Sequence, residues 1–344
     1  MSHTRTLEEL RQADAAEFGG KSSTLGELIA GGIPVPPGFA ISTSAFRAFV
    51  DEAGLGGMIE AELARMSPGD VDSVGMASHA IGQAMRSAPV PDAVRDEIAA
   101  RYSALGGGDP PVAVRSSALG EDSHDATFAG QQESFLWIRG VEQLCDAVRD
   151  CWVSLYTPRA ISYRAELGGQ EEAAMGVTVQ EMVDAEVSGV MFTCNPVSGD
   201  PSMVAVNASW GLGIAVVGGE TTPDDFLVSK VTGEVVRQTV NSKEIEYVPD
   251  PAGRGAVRRE VESERRERPC LDEQRLAALV EAAKRIEGHF GSHQDIEWAI
   301  ARDGSLLVLQ SRPVTTLKPA APKLSESAIS LVMGTFGAAP KKDS

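Results

Sequence analysis

The sequence of 344 residues has few cysteines and no C-x-x-C pair. Closely spaced cysteine pairs are typical of zinc sites, and even sets of cysteines in short secreted chains are typical of disulfide scaffolds. Neither pattern is present. We therefore expect the four thiols, Cys145, Cys151, Cys194 and Cys270, to be reduced and to serve as structural side chains.

Basic residues are also scarce, because 31 Lys and Arg stand against 49 Asp and Glu and give a formal net charge of −18. A nucleic-acid surface needs a basic excess, so this charge argues against nucleic acid as a partner. No apolar run approaches the roughly 18 residues of a membrane-spanning helix, and no basic and apolar leader precedes a cleavage site. We expect a cytoplasmic protein with no membrane partner.

Length and patterning predict two modest domains, or one large domain that is split by a cleft. Residues 1–110 alternate helical patterns with Gly and Pro breaks and form the N-terminal part of a first subdomain. Residues 111–174 contain a strand, a long polar loop, another strand and a helical region. Residues 175–316 change to short strands between turns, which predicts a second subdomain. Residues 317–344 have the composition of a flexible tail.

The most informative segment lies near the end of this pattern. Two apolar runs, residues 294–300 and 305–313, are joined through Asp303-Gly304. Such a dipeptide tolerates the positive φ of tight turns, so the segment predicts a β-hairpin with a two-residue turn. The turn fixes the register, and we expect Arg302 to pair with Ser305.

In that register Glu297 faces Gln310 and Asp295 faces Arg312, with all four side chains on one face of the ladder. Two carboxylates, an amide oxygen and a guanidinium are poor core material. They are suited to hold a magnesium ion against a polyphosphate, because magnesium prefers a few hard oxygen ligands.

The segment Gly19-Gly20-Lys21-Ser22 is similar to the end of a P-loop, but Ala15 stands where the first glycine of a Walker A motif belongs. A helix that begins near Ser22 can still present Lys21 and free amides to an anion. The alternative is that Ser22 is an ordinary N-cap and Lys21 a surface lysine.

Arg115 ends a predicted strand and precedes a loop of small and polar residues. Arginine binds phosphate through two parallel hydrogen bonds, which lysine cannot do. The loop, residues 120–133, has the free backbone amides and hydroxyls of a lid that closes over phosphates. The alternative is an ordinary surface loop.

The segment Val179–Val183 ends a run of β-type residues. In extended backbone the carbonyl of Glu181 and the amide of Val183 point the same way and can read the edge of adenine. Met182 would pack on the ring. The alternative is a plain strand.

Taken together, these segments resemble the N-terminal ATP-binding domain of the phosphoenolpyruvate synthase and pyruvate phosphate dikinase family, which includes rifampin phosphotransferase and phenylphosphate synthase. The resemblance covers residues 15 to 316 and rests on motifs in the family's order. They are GGK at Gly19–Lys21, VRSSA at Val114–Ala118, FAGQQES at Phe128–Ser134, VQEMV at Val179–Val183, FTCNPVSGD at Phe192–Asp200, WGLG at Trp210–Gly213, TPDDF at Thr222–Phe226, and DIEW with LQSRP at Asp295–Trp298 and Leu309–Pro313. The family implies an α+β, ATP-grasp-type fold of two subdomains with the nucleotide between them.

The resemblance also implies roles for single residues, with ATP and Mg²⁺ as cofactors. Lys21, Arg115 and Arg312 would act on the ATP phosphates, assisted by Asp295. The loop residues Thr127, Phe128, Ala129, Gly130 and Gln131 would close over them. Gln180, Glu181, Met182 and Val183 would bind adenine and ribose. Glu297 and Gln310 would hold magnesium.

Two departures from the family pattern affect these expectations. Ile214 stands where the family usually has Glu, which bears on nucleotide contacts from that position. The chain also has no segment like T-x-H-x-G-G, which in the family carries the histidine that the ATP domain phosphorylates. The resemblance to phenylphosphate synthase therefore implies a subunit that phosphorylates a histidine on a partner subunit, forms AMP and phosphate overall, and serves a phenol-like acceptor.

Two other functions fit the same residues. The chain could be the ATP-binding portion of a longer phosphoenolpyruvate synthase, pyruvate phosphate dikinase or rifampin phosphotransferase. It could also be a nucleotide-sensing module without turnover, for which Ile214 is the main support.

Overall fold

A computed structural model of the chain describes residues 2–67, 69–118, 134–166, 173–250 and 255–314. The predicted phosphate loop, Thr127–Gln131, and the predicted tail at 317–344 lie outside these ranges. The described residues form a five-stranded sheet, a six-stranded sheet and a separate two-stranded hairpin, with helices packed against the sheets. This arrangement confirms the predicted α+β class with two sheet-containing parts.

The five-stranded sheet is antiparallel and has the order β1-β2-β5-β3-β4. Its strands are β1 Thr4–Thr6, β2 Gly38–Ile41, β3 Val112–Ala118, β4 Ser134–Ile138 and β5 Met175–Glu181. Helices of the same part of the chain are α1 Ala15–Phe18, α2 Gly20–Ala30, α3 Thr43–Glu52, α4 Gly56–Arg65, α5 Val71–Ser87, α6 Asp92–Ala104, α7 Val141–Ser154 and α8 Pro158–Glu166. Two short 3-10 helices, Leu7–Glu9 and Gln12–Asp14, precede α1.

The six-stranded sheet is also antiparallel, with the order β13-β12-β6-β7-β8-β9. Its strands are β6 Ala185–Phe192, β7 Met203–Trp210, β8 Asp224–Ser229, β9 Val235–Thr239, β12 Gln294–Ala301 and β13 Leu306–Pro313, and the separate hairpin is β10 Ile245–Pro249 with β11 Ala256–Glu260. The helices here are α9 Ile214–Val217, α10 Ser263–Arg266 and α11 Glu273–Phe290.

Strand β12 shows why the second sheet has one apolar and one polar face. Ile296, Trp298 and Ile300 alternate along the strand and are all buried in the same hydrophobic cluster. Side chains alternate between the two faces of a strand, so Asp295 and Glu297 project from the opposite face. The buried stripe of α11 covers the apolar face, and the polar face is left for the cleft.

The predicted division at residue 174 differs from the sheet pairing. Strand β5 begins at Met175, but it hydrogen-bonds to β2 and β3 in the first sheet. The chain passes from one sheet to the other only between Glu181 and Ala185. The sequence changes to β-type residues at β5, whereas the second sheet begins with the next strand, β6.

The hairpin of β12 and β13 confirms the predicted cross-strand pairs but not the predicted turn. Asp295 is opposite Arg312, and Glu297 is opposite Gln310. The predicted pairing of Arg302 with Ser305 is wrong, because Ser305 accepts a hydrogen bond from Ala301 N–H at 2.9 Å.

The loop is thus one residue longer than a two-residue turn, with Gly304 at a φ of +86°. A β-bulge between Glu297 and Trp298 shifts the register by one residue and places the extra residue, Leu309, in β13. The bulge compensates for the longer loop, so the two errors in the sequence-based register cancel.

The charged run at residues 252–269 has the mixed composition that is typical of a solvated segment, and most of its described residues are exposed, but part of it is folded and paired. Residues 256–260 form β11, which pairs with β10. Arg259 and Arg265 both contact the carboxylate of Glu246, which is buried, at 2.9 and 3.5 Å. The Arg265 guanidinium also lies over the Trp210 ring, 4.4 Å from its centroid. Part of this run therefore neutralises a buried carboxylate.

The four cysteines are buried and form no disulfide, as predicted. Burial raises the pKa of the Cys145 thiol to about 11. Within the described ranges, no helix is long and apolar enough to cross a membrane.

A fully buried ion pair anchors the far side of the six-stranded sheet. Lys243 Nζ donates to Asp224 Oδ1 at 2.6 Å, and both side chains are inaccessible to solvent. The same carboxylate accepts hydrogen bonds from the backbone N–H groups of Asn241 and Cys270. A buried charge is tolerated when its partners satisfy all its hydrogen bonds, and removal of one partner leaves the other unpaired.

We expect Asp224→Ala to lower the free energy of unfolding by about 3–5 kcal/mol, because it leaves the buried Lys243 ammonium without its carboxylate partner. The adjacent Asp225 makes an exposed pair with Arg237, so Asp225→Ala should cost no more than about 1 kcal/mol. Urea denaturation of both variants measures the difference. Equal costs for the two substitutions would contradict this account of the buried pair.

Candidate functional site

A cleft of about 480 Å³ lies between the two sheets. The five-stranded sheet contributes Arg115 and Gln180 to its walls, and the six-stranded sheet contributes Glu297, Gln310 and Arg312. Residues that are far apart in the sequence thus meet in one cavity whose volume suits a small-molecule ligand.

The hairpin of β12 and β13 supplies one charged wall. Arg312 donates to Asp295 Oδ2 through Nε at 2.9 Å, and its Nη2 lies 2.8 Å from the same oxygen. Burial raises the pKa of Asp295, although the neighbouring Arg312 guanidinium acts in the opposite direction. Glu297 and Gln310 stand opposite each other two residues further along the ladder, on the same face.

Arg115 of β3 bridges the cleft to this hairpin. Its Nη1 donates to the carbonyl oxygen of Leu309 at 3.3 Å and lies 3.8 Å from Glu297 Oε2. Leu309 is the bulged residue of β13, so the bulge re-aims its carbonyl toward the first sheet. The Arg115 Nε is buried and has no hydrogen-bond partner among the described residues. A buried N–H of this kind can donate a hydrogen bond to an anionic ligand.

The Gly19-Gly20-Lys21 segment begins α2 close to the end of β3. Gly19 has a φ of +83°, and a Cβ there would lie 2.1 Å from the Ser117 carbonyl oxygen, so only glycine permits this approach. Lys21 Nζ donates to the carbonyl of Ser116 at 2.6 Å, next to Arg115. Lys21 is buried but does not line the cleft, and neither does Asp295.

The alternative interpretation of this segment as a surface lysine with a serine N-cap is wrong. The N-cap of α2 is Gly19, and Lys21 is only 6% exposed. Ser22 lies inside the helix, where its hydroxyl shares a hydrogen bond of 2.7 Å with the Thr178 hydroxyl of β5. The polar residues at the start of α2 therefore fasten the helix to the first sheet.

The predicted adenine segment is the end of β5 and the connection to the second sheet. Glu181 N–H donates to Pro37 O at 2.8 Å, and Met182 N–H donates to Pro111 O at 2.9 Å. Neither bond uses the Glu181 carbonyl or the Val183 N–H, the two groups that the sequence assigns to adenine. Gln180, Glu181, Met182 and Val183 all line the cleft, and burial raises the pKa of Glu181.

Gln180 adds a second unsatisfied donor to the cleft. The residue is 2% exposed, and its side-chain Nε2 has no hydrogen-bond partner among the described residues. Buried amide donors without partners are rare in folded proteins, and a ligand is one explanation for them. Its position beside Met182 places this donor near the predicted adenine segment.

The opposite wall was only partly foreseen from the sequence. Leu212, Gly213, Ile214 and Val217 of the WGLG segment and α9 all line the cleft. The bends that place them there depend on distant partners. The Gly211 carbonyl accepts a hydrogen bond from the Ser188 hydroxyl at 2.6 Å, and Leu212 N–H donates to Tyr247 O in β10 at 2.8 Å. The WGLG motif can be recognised in the sequence, but no nearby residue indicates that its backbone bonds to Tyr247 of β10.

Glu297 and Gln310 suit a magnesium ion that takes its remaining ligands from water and from a bound phosphate. Glu297 supplies a carboxylate and Gln310 an amide oxygen, directly opposite each other. The described residues contain no cluster of three or more His, Cys, Asp or Glu able to cage a metal. Magnesium keeps several waters and is commonly held by one or two carboxylates together with substrate phosphates.

The comparison with known families identifies the domain that contains this cleft. The family model for the pyruvate phosphate dikinase AMP/ATP-binding domain matches residues 15–330. The chain belongs to this family. The resemblance drawn from the motifs is confirmed, and the cleft belongs to an ATP-binding domain.

Curated relatives support the assignment over nearly the whole chain. A probable phosphoenolpyruvate synthase from Methanothermobacter thermautotrophicus is 42% identical over 97% of this chain and 49% of its own length. A rifampicin phosphotransferase from a Streptomyces species is 40% identical over 91% of this chain and 36% of its own length. The chain thus spans half or less of these relatives.

Among solved structures, a biotin carboxylase–β-γ-ATP complex from Campylobacter jejuni aligns with 86% of this chain and 39% of its own, at 10% identity. Its TM-score is 0.32, and this likeness adds no argument about function.

We expect Arg115→Gln to weaken binding of a non-hydrolysable ATP analogue by at least about tenfold, because a hydrogen bond to a charged group contributes about 1.5–3 kcal/mol. AMP should lose much less, since the expected contact is with the outer phosphates. Isothermal titration of both ligands measures the effect, with the exposed Arg237→Gln as control. An equal loss for AMP and the triphosphate would argue against a phosphate contact.

Proposed function

We propose that the chain binds Mg-ATP in the cleft between its two sheets and transfers a phosphoryl group to a histidine on a partner domain or subunit. The observation that carries the proposal is the meeting of Arg115 with the Glu297 carboxylate and the Leu309 carbonyl across the cleft. The arrangement joins a candidate phosphate-binding cation to a candidate metal ligand. Family membership supports ATP as the nucleotide.

In this proposal the charged wall handles the phosphates. Arg115 and Arg312 would neutralise the charge that spreads over the transferring phosphoryl group, and such positioning and neutralisation are the main catalytic needs of phosphoryl transfer. Asp295 would orient Arg312, as its hydrogen bond to Nε indicates. Lys21 stands beside Arg115 and would approach the phosphates if the ligand extends beyond the cleft toward Ser116.

Magnesium, held by Glu297 and Gln310, would neutralise and orient the phosphate oxygens. At the other end of the cleft, Gln180 and Met182 would contact the base, while the Glu181 carbonyl and Val183 amide would read its edge. The loop residues Thr127–Gln131 remain proposed as a cover for the phosphates.

The arrangement of the partner has two forms. In one, the histidine is on a separate subunit, as the resemblance to phenylphosphate synthase implies, and the final acceptor is a phenol-like hydroxyl. In the other, this sequence is the ATP-binding portion of a longer synthase, dikinase or antibiotic phosphotransferase. The names and lengths of the relatives favour the second form.

A nucleotide sensor without turnover is a candidate of a different class. Ile214 is the observation that favours it, because this apolar side chain lines the cleft where the family usually has Glu. A sensor would bind ATP in the same place but would form no AMP.

The deciding experiment measures AMP formation from ATP and Mg²⁺. The chain is assayed alone and then mixed with a histidine-bearing domain of a relative, with a phenol, pyruvate or rifampicin as acceptor. We expect AMP and inorganic phosphate only in the mixture, together with an acid-labile phosphohistidine on the added domain, so that one ATP and one water account for all three products. Which acceptor consumes the phosphoryl group distinguishes the two forms.

We expect Glu297→Ala to lower the rate of AMP formation by at least about a hundredfold, since it removes the candidate magnesium carboxylate. Exposed Glu234→Ala is the matched control and should leave the rate unchanged. Tight ATP binding with no AMP in any mixture would support the sensor instead. A Glu297→Ala enzyme of normal rate would refute the metal assignment.

A further inference from the structure

A second cavity, of about 650 Å³, lies among the helices that follow β2 and precede β5. It shares no lining residue with the cleft between the sheets. Its apolar walls come from α3, α4, the segment before α8, and α8, and include Phe46, Val50, Ile59, Leu63, Tyr156 and Ile161. The volume is in the range of small-molecule sites.

One half-buried cation lies among these apolar walls. Arg164 of α8 lines the cavity, and its Nη2 atom is buried without a hydrogen-bond partner in the part of the chain that the structure describes. Its guanidinium lies 5.5 Å from the centroid of the Tyr156 ring, which stabilises the charge through a cation–π contact. Burial lowers the pKa of Arg164, although a guanidinium stays protonated in proteins.

The polar residues at the rim limit which anion can enter. Asp51 and Glu60 line the cavity and are exposed, as is Arg47. The two carboxylates outnumber the single Arg47 guanidinium at this rim and so disfavour a multiply charged anion, and the apolar walls disfavour a strongly hydrated one. A ligand with a single negative charge and an apolar body meets both conditions.

We propose that this cavity binds a small amphipathic carboxylate, with its carboxylate on Arg164 and its apolar part against the side chains of α3 and α4. A guanidinium matches a carboxylate through two parallel hydrogen bonds, one of which would satisfy the buried Nη2. The site is independent of the proposed phosphotransfer function, because none of its residues belongs to the nucleotide cleft.

The test uses the complete chain and three probes: 3-phenylpropanoate, its neutral amide, and inorganic phosphate. Saturation-transfer NMR measures their binding with the nucleotide cleft filled by Mg²⁺ and a non-hydrolysable ATP analogue. We expect saturable binding of the carboxylate that the nucleotide does not displace. The amide should bind at least about tenfold more weakly, because it lacks the charge that strengthens a hydrogen bond.

Variants locate the probe. Arg164→Gln should weaken carboxylate binding by at least about tenfold. Arg164→Lys should weaken it less, since lysine keeps the positive charge but cannot form two parallel hydrogen bonds to a carboxylate. Arg65→Gln on α4, whose guanidinium pairs with Glu62 at the surface, is the control and should bind normally. Circular dichroism of each variant checks the fold, and the comparison of the probes on the unaltered chain needs no variant.

Four results would overturn the proposal. They are displacement of the carboxylate by the nucleotide analogue, equal binding of the amide, preference for inorganic phosphate, and unchanged binding in folded Arg164→Gln.

Discussion

The approach of Arg115 to the bulge in β13 holds the site together. One guanidinium contacts the Leu309 carbonyl and lies near the Glu297 carboxylate, so the first sheet meets the second where opposite charges face each other. The contact depends on a single extra residue in the ladder. Without the bulge, the Leu309 carbonyl would lie in the regular hydrogen-bonding pattern between β12 and β13. The hydrogen bond from Arg115 across the cleft would then be lost.

The hairpin illustrates how much the sequence could predict. Alternation of side chains predicted that Asp295 and Glu297 share a face with Gln310 and Arg312, and the observed pairs agree. The turn was predicted one residue too short, and the bulge was not foreseen. Local residues set the periodicity, whereas a bulge depends on partners in another strand or sheet. The correct pairs therefore followed from two errors of opposite sign.

Other features were beyond the sequence for the same physical reason. The sequence motifs identified the family and correctly predicted that Gln180 and Met182 line the cleft. They did not predict that Lys21 lies outside the cleft and donates to the Ser116 carbonyl. The charged run at residues 252–269 has the composition of a solvated segment, yet its Arg259 and Arg265 pair with the buried carboxylate of Glu246. The positions of these side chains depend on burial and on charge pairing between segments that are distant in the sequence. Neither produces a pattern among neighbouring residues.

In the proposed function, Glu297 and Gln310 hold a divalent ion against the phosphates of a nucleotide in the cleft. A crystal structure of the chain with Mn²⁺ and a non-hydrolysable ATP analogue, with manganese located by its anomalous scattering, tests it most directly. We expect one manganese peak within coordination distance of both side chains, with the Arg115 guanidinium in contact with the phosphates. Manganese elsewhere, or a nucleotide outside the cleft, would contradict it.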